Sequence, residues 1–160
     1  MAVTTGSQVP DVQVHVLGED GRPAAKSSRE LLGTGKVVLF AVPGAFTPGC
    51  SRIHLPGFVD NQAELKAKSV DVVACIATND PWVMHAWSEA AGAQGILMIS
   101  DGTGAFTEAM GLTMDGSAFG LGRRSQRYAA IIDNGVFTSI EVEPGAGIEA
   151  TTCSAVLTRL

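Results

Sequence analysis

Of the three cysteines in this 160-residue chain, Cys50 stands where a thiol can react. It closes the string Pro43-Gly44-Ala45-Phe46-Thr47-Pro48-Gly49-Cys50, which follows the apolar run Val37–Val42 and opens a segment with helix signals. A residue so placed lies at the C-terminal edge of a buried strand, where open α/β sheets bind ligands. It also lies in the first turn of a helix. The free N–H groups and partial positive charge of a helix start stabilise a thiolate, the nucleophilic form of cysteine. Thr47, three residues earlier, can bring its hydroxyl near that sulfur or its reaction partner. Spacing alone leaves an inert reading equally open, with Cys50 a small buried hydrophobe and Thr47 a simple cap. His54 follows Cys50 by one helical turn. A Cys–His pair without a third or fourth ligand makes a poor zinc site, so His54 is read as packing. Cys75, inside an apolar run, reads as a buried inert thiol, and His15 and His85 have no visible partners.

The elements that must position Cys50 follow from pattern. Val9–Leu17 alternates apolar with polar residues and reads as an edge strand, followed by a turn over Glu19–Pro23. Ser27 or Ser28 caps a short helix through Leu32, closed by Gly33. Val37–Val42 is a doubly covered central strand, ended by Pro43 and Gly44. Residues Pro56–Lys68 carry helix signals, and Pro56 should kink whatever helix precedes it. Val70–Ala77 is a second buried strand. Pro81 starts a helix to about Ala91. Ile96–Ser100 is a short strand, Thr103–Met110 a helix ended by Gly111, and Asp115–Gly122 a loop. Tyr128–Asp133 and Val136–Val142 form a hairpin around Asn134-Gly135, and a last helix covers Ser154–Leu160. This order predicts a single α/β domain over residues 1–160, with a thioredoxin-like fold and a central mixed sheet flanked by helices.

Composition narrows the function classes. Hydrophobic residues make up 46% and charged residues 17%, against roughly 25% charged in ordinary domains, so the chain is neither disordered nor fibrous. Mean hydropathy is +0.23, yet no apolar run approaches the ~18 residues of a membrane span. A net charge of −5 argues against a general nucleic-acid binder. Three widely spaced cysteines make no disulfide framework and fit a reducing compartment. No secretory signal pattern is visible. The expected location is therefore intracellular, most simply cytoplasmic, with mitochondrial or peroxisomal sites as alternatives. The C-terminal Thr158-Arg159-Leu160 only faintly echoes a peroxisomal tripeptide and reads as a helix end. Trp82, Trp87, Met110 and Met114 read as packing. Phe46 and Phe119 read as an apolar collar at the site mouth or as a subunit contact.

The pattern Pro43-x-x-x-Thr47-x-x-Cys50 resembles the active-site motif of the peroxiredoxins, the thiol peroxidases. The longer string through Cys50-Ser51, with His54-Leu55-Pro56-Gly57-Phe58, resembles the type-five subfamily. Further pieces match in order: Val72–Cys75, Asn79-Asp80, Asp101–Phe106, Arg123–Tyr128 and Val142–Pro144. The similarity runs from about Val9 to Leu160. It implies a peroxidase acting on hydrogen peroxide, alkyl hydroperoxides or peroxynitrite through a sulfenic acid on Cys50. Thr47 and backbone N–H groups near Gly49 and Cys50 would bind the peroxide, and Pro43 and Pro48 would shape the loop. The resemblance gives the fixed cation's role to Arg127, a choice over Arg123 and Arg124 that spacing could not make. It makes Cys153 the resolving thiol, which condenses with the sulfenic acid to an intramolecular disulfide recycled by thioredoxin. Preceded by the turn-rich run Pro144–Gly147, Cys153 is expected to be exposed and mobile. No metal, haem or other cofactor is implied, because sulfur carries the electrons. A monomer or homodimer is expected, without nucleic-acid or membrane partners. Two alternatives stay open: a one-cysteine peroxidase served by glutaredoxin and glutathione, and a redox-sensing interaction protein of the same fold.

Overall fold

A computed structural model describes residues 1–160. In chain order the elements are β1 (Gln13–Leu17), β2 (Pro23–Ser27), α1 (Ser28–Leu32), β3 (Lys36–Ala41), a π-helical turn (Cys50–His54), α2 (Leu55–Asp60) and α3 (Gln62–Ala67). Then come β4 (Val72–Ala77), α4 (Pro81–Ala90), β5 (Ile96–Ser100), α5 (Ala105–Met110), β6 (Thr113–Asp115) and a 3-10 turn (Ser117–Phe119). The chain ends with β7 (Arg123–Ser125), β8 (Tyr128–Asp133), β9 (Val136–Val142) and α6 (Cys153–Leu157).

Seven strands form one mixed sheet in the order β2-β1-β5-β4-β3-β8-β9. The apolar runs β3, β4 and β5 pair in parallel at its centre, and β8 joins β3 antiparallel. Strand alternation divides the core between two faces. Val38 and Phe40 of β3, with Val73 and Cys75 of β4, enter a cluster of 19 buried residues; Val37, Leu39, Ala74 and Ile76 point into another of 16. Leu55, Phe58, Met84, Trp87 and Val156 cover the first face, and Leu32, Phe106 and Met110 the second. Each such large side chain contributes about 1.5–3 kcal/mol through burial. The thioredoxin-like fold with a mixed central sheet between helices is therefore the observed one.

Several elements differ from expectation. β1 is not an edge, because Pro23–Ser27 pairs outside it as β2. That Pro-Ala-Ala-Lys-Ser stretch carries no apolar alternation, so only a turn over Glu19–Pro23 is legible there, and its last residue, Pro23, already belongs to β2. The β6–β7 pairing is likewise too short and polar to read. The helix expected over Pro56–Lys68 breaks at Asn61, whose side chain donates to the Gly57 carbonyl. Pro56 does disturb the helix before it. Lacking an N–H, it leaves the ladder one donor short, and Leu55 N–H instead donates to the Cys50 carbonyl in a π-type bond.

Candidate active site

Cys50 is fully buried at the C-terminal end of β3, in the first turns of the helical segment that Pro48 begins. Pro48 suits that position because the N–H it lacks would be unpaired there anyway. Ser51 N–H donates to the Thr47 carbonyl at 2.9 Å, which closes the first turn. The preceding loop is braced on both sides. Asn79 Oδ1 accepts from Ala45 N–H at 2.9 Å, and Arg124 Nη1 donates to the Pro43 carbonyl at 3.3 Å. Between these braces Phe46 holds φ 67°, a left-handed conformation that strains a bulky side chain.

Arg127 precedes β8, the strand hydrogen-bonded to β3, and so meets the end of β3 from the side. Its Nη2 donates to Cys50 Sγ at 3.2 Å. Arg124 stays at the loop, donating also to the Leu121 carbonyl, and Arg123 makes only an exposed 3.7 Å pair with Glu108. Thr47 commits its hydroxyl proton to the Gly44 carbonyl at 2.7 Å. What Thr47 can offer a ligand is thus a lone pair, an acceptor for an O–H donor. Trp87 Nε1 donates to Ser51 Oγ at 2.9 Å and places an indole beside the site.

His54 packs as its sequence setting predicts: its ring tilts between Phe40 and Phe58 at centroid distances of 5.1 and 5.6 Å. It also belongs to the site. Arg127 Nη1 lies 2.8 Å from His54 Nδ1, and His54 Nε2 lies 2.9 Å from the Thr151 carbonyl. Guanidinium can only donate and a carbonyl can only accept, so the ring is the neutral Nε2–H tautomer. Burial, then the Arg127 charge, lower its pKa from 6.5 to about 4. The one-turn spacing from Cys50 was visible in the sequence; the tautomer's two partners, 73 and 97 residues away, were not.

Cys153 departs from expectation. It is 2% exposed, opens α6, and packs in the same cluster as Cys50 and Cys75. Thr152 caps α6 by accepting from Ala155 N–H at 3.2 Å. Burial, then Glu64, raise the Cys153 thiol to about 11. Cys75 is fully buried, and its thiol is pushed well up by burial and, secondarily, by the neighbouring Cys50. All three thiols are free. The segment between β9 and α6 is not the loose turn its glycines imply, because Glu143 organises it. The Glu143 carboxylate accepts from the N–H groups of Glu149, Ala150 and Thr151 and from Thr151 Oγ1. Burial opposes its charge, yet these four donors hold its pKa below the usual carboxylate value. No cluster of three or more His, Cys, Asp or Glu residues could hold a metal ion, and no helix is long and apolar enough to cross a membrane.

Comparison with known proteins agrees with this geometry. A profile of the redoxin family matches residues 4–157. The chloroplastic Peroxiredoxin-2E-2 of Oryza sativa subsp. japonica is 41% identical over 163 residues, covering 99% of this chain and 72% of that protein. Peroxiredoxin-2C of Arabidopsis thaliana is 37% identical, covering 99% and 98%. Reduced Prx3 of Vibrio vulnificus, solved in complex with H2O2, superposes with a TM-score of 0.94 at 46% identity, covering 98% of each chain. The chain belongs to the redoxin family, and within it to the peroxiredoxins, peroxidase oxidoreductases that act through a thiol.

Proposed function

We propose that Cys50 is the peroxidatic cysteine of a thiol peroxidase that takes hydrogen peroxide, alkyl hydroperoxides or peroxynitrite. The 3.2 Å contact between Arg127 Nη2 and Cys50 Sγ carries this reading. In the reaction the Cys50 thiolate attacks one peroxide oxygen in line. The S–O bond forms as the O–O bond breaks, and the departing oxygen leaves as water or alcohol after taking a proton, or as nitrite when the substrate is peroxynitrite. Arg127 holds its charge beside the sulfur and the developing anion, Thr47 accepts from the peroxide O–H, and backbone N–H groups near Gly49 and Cys50 donate to its oxygens. The solved H2O2 complex of Vibrio vulnificus Prx3 supports peroxide as the substrate class.

Cys153 condenses with the Cys50 sulfenic acid, forming an intramolecular S–S bond and releasing water. A dithiol reductant, thioredoxin, then returns two electrons and two protons by thiol–disulfide exchange. Cys153 suits this step because freeing it requires unwinding only the five-residue α6. Cys75 is held by neighbours on both sides, paired with Phe40 and Met98 in the sheet centre. A second reading has Cys75 as resolver: it packs beside Cys50 and its thiol is raised by burial and then by Cys50. The motif string supports a type-five-like peroxiredoxin, monomeric or homodimeric; the order of elements supports one domain over residues 1–160, and the widely spaced cysteines support an intracellular location, cytoplasmic before mitochondrial or peroxisomal. Glutaredoxin is the alternative reductant.

Peroxide consumption measured with thioredoxin, and separately with glutathione plus glutaredoxin, tests the reading. Cys153→Ser should lose thioredoxin-supported turnover yet keep one oxidation of Cys50, and oxidised wild type should yield a linked Cys50–Cys153 peptide. Full thioredoxin turnover in Cys153→Ser, or a Cys50–Cys75 peptide in its place, overturns the Cys153 step.

A further inference from the structure

Glu143 touches neither thiol, yet it supports both ends of the site. It directly follows β9, and its own N–H donates to the Arg127 carbonyl at 2.9 Å, so it is anchored to the backbone of the residue that carries the cation. Its side chain turns the other way, into the strap of residues 144–152, and ties down Thr151 by N–H at 3.3 Å and by Oγ1 at 2.9 Å. Thr151 then presents its carbonyl to His54 Nε2–H, and His54 Nδ1 accepts from Arg127 Nη1. The other arm of the same guanidinium reaches Cys50. The strap also lies against the peroxidatic loop itself: a side chain at Gly49 would meet Ile148 Cδ1 at 3.1 Å and Arg127 Nη2 at 3.4 Å. Past Thr151, the same strap delivers the cap of α6 and with it Cys153.

We infer that Glu143 is a positioning residue for the peroxide-reducing step, setting the Arg127 guanidinium on Cys50 through Thr151 and the His54 tautomer. The physical reason is the directionality of hydrogen bonds. A histidine between a carbonyl and a guanidinium is locked in one tautomer, and its bare nitrogen fixes one arm of the arginine. Without the Thr151 carbonyl, Nε2–H loses its acceptor and the ring is free to move its proton to Nδ1. That nitrogen then repels Arg127 rather than accepting from it. Glu143 is the group that holds the carbonyl in place, since four donors of the strap converge on it. The same knot keeps Cys153 folded away.

The inference rests on the peroxidase reading, and the test separates the two. Nitrogen-15 spectra of the histidine rings report the His54 tautomer, and stopped-flow Trp fluorescence after mixing with H2O2 reports oxidation of Cys50. Wild type should show the Nε2–H form and fast oxidation. Glu143→Ala should mix the tautomers and slow the oxidation about tenfold, the effect expected for one hydrogen bond to a charged group. Glu143→Gln keeps an acceptor oxygen toward Thr151 and should restore most of both signals. Should Glu143→Ala fail to fold, Thr151→Val, which removes only the Oγ1 donor, should move both signals in the same direction by less. A folded Glu143→Ala with the wild-type tautomer and rate overturns the inference, whatever its melting temperature. So does a Glu143→Gln protein as slow as Glu143→Ala whose His54 keeps the Nε2–H form. A wild-type protein that H2O2 does not oxidise overturns the peroxidase reading itself.

Discussion

Cys50 and Cys153 are both buried and each opens a helical segment, but the two helix starts are held by different kinds of contact. Around Cys50 the path of the backbone is set locally, where β3 aims the chain, Pro43 and Gly44 turn it and Pro48 begins the helix, and the distant Asn79 and Arg124 then brace that path. Around Cys153 a carboxylate ten residues upstream collects the N–H groups of a glycine-rich strap and presses it onto the site. The first kind of support is written in adjacent residues. The second depends on one charge meeting donors that no periodicity announces. A Pro-Gly-Ala-Gly run reads as mobile because its glycines cost backbone entropy to order, and the compensating carboxylate lies outside it.

The largest expected effect lies on the Cys50 side. Arg127→Gln should lower kcat/KM for peroxide by about 10²–10³, the effect of removing one oxyanion-type donor, while leaving the fold intact. Stopped-flow oxidation and a denaturation curve on the same variant check this. A near-wild-type rate would move the cation's role to Arg124, which already braces the Pro43 carbonyl; Arg123 is too far out, in an exposed pair with Glu108.

That prediction also marks how much could be read from residues alone. β3, β5, β8 and β9 were legible because apolar runs and an Asn-Gly turn encode them locally. So was the seat of Cys50 at a strand end. β2 was not, because Pro23–Ser27 owes its pairing to β1 rather than to its own composition. Choosing Arg127 over its neighbours required the β3–β8 pairing, which brings Tyr128 opposite Ala41 and sets Arg127 beside the loop. The supporting roles of Asn79, Arg124, His54 and Glu143 are all contacts between segments distant in sequence.

A second test sharpens the contrast through pH. The folded protein holds His54 near pKa 4 against 6.5 when unfolded, so between those values the unfolded chain binds more protons than the native one. Stability from this group is complete above pH 6.5 and is lost as pH falls, approaching about 3 kcal/mol below pH 4. Glu143, whose carboxyl is also held low, loses its contribution in the same direction as pH falls below the ordinary carboxylate range. Urea unfolding at pH 7 and pH 4.5 should show the drop, and His54→Asn, which cannot titrate, should flatten it. Equal stability at both pH values would mean that His54 is not held neutral between Arg127 and Thr151.

The smallest expected effect concerns the third thiol. Cys75→Ser should leave thioredoxin-supported turnover near wild type, because Cys75 is fixed between two strands in the sheet centre. A variant that loses turnover as completely as Cys153→Ser would show that the sheet opens more readily than the strap.

The central claim, that peroxide oxidises Cys50 and no other sulfur, is tested most directly by trapping. Reduced Cys153→Ser protein is mixed with one equivalent of H2O2 and a sulfenic-acid-specific dione, then digested and mapped by mass spectrometry. The account predicts the adduct on Cys50. An adduct on Cys75, with Cys50 recovered as a free thiol, would contradict it.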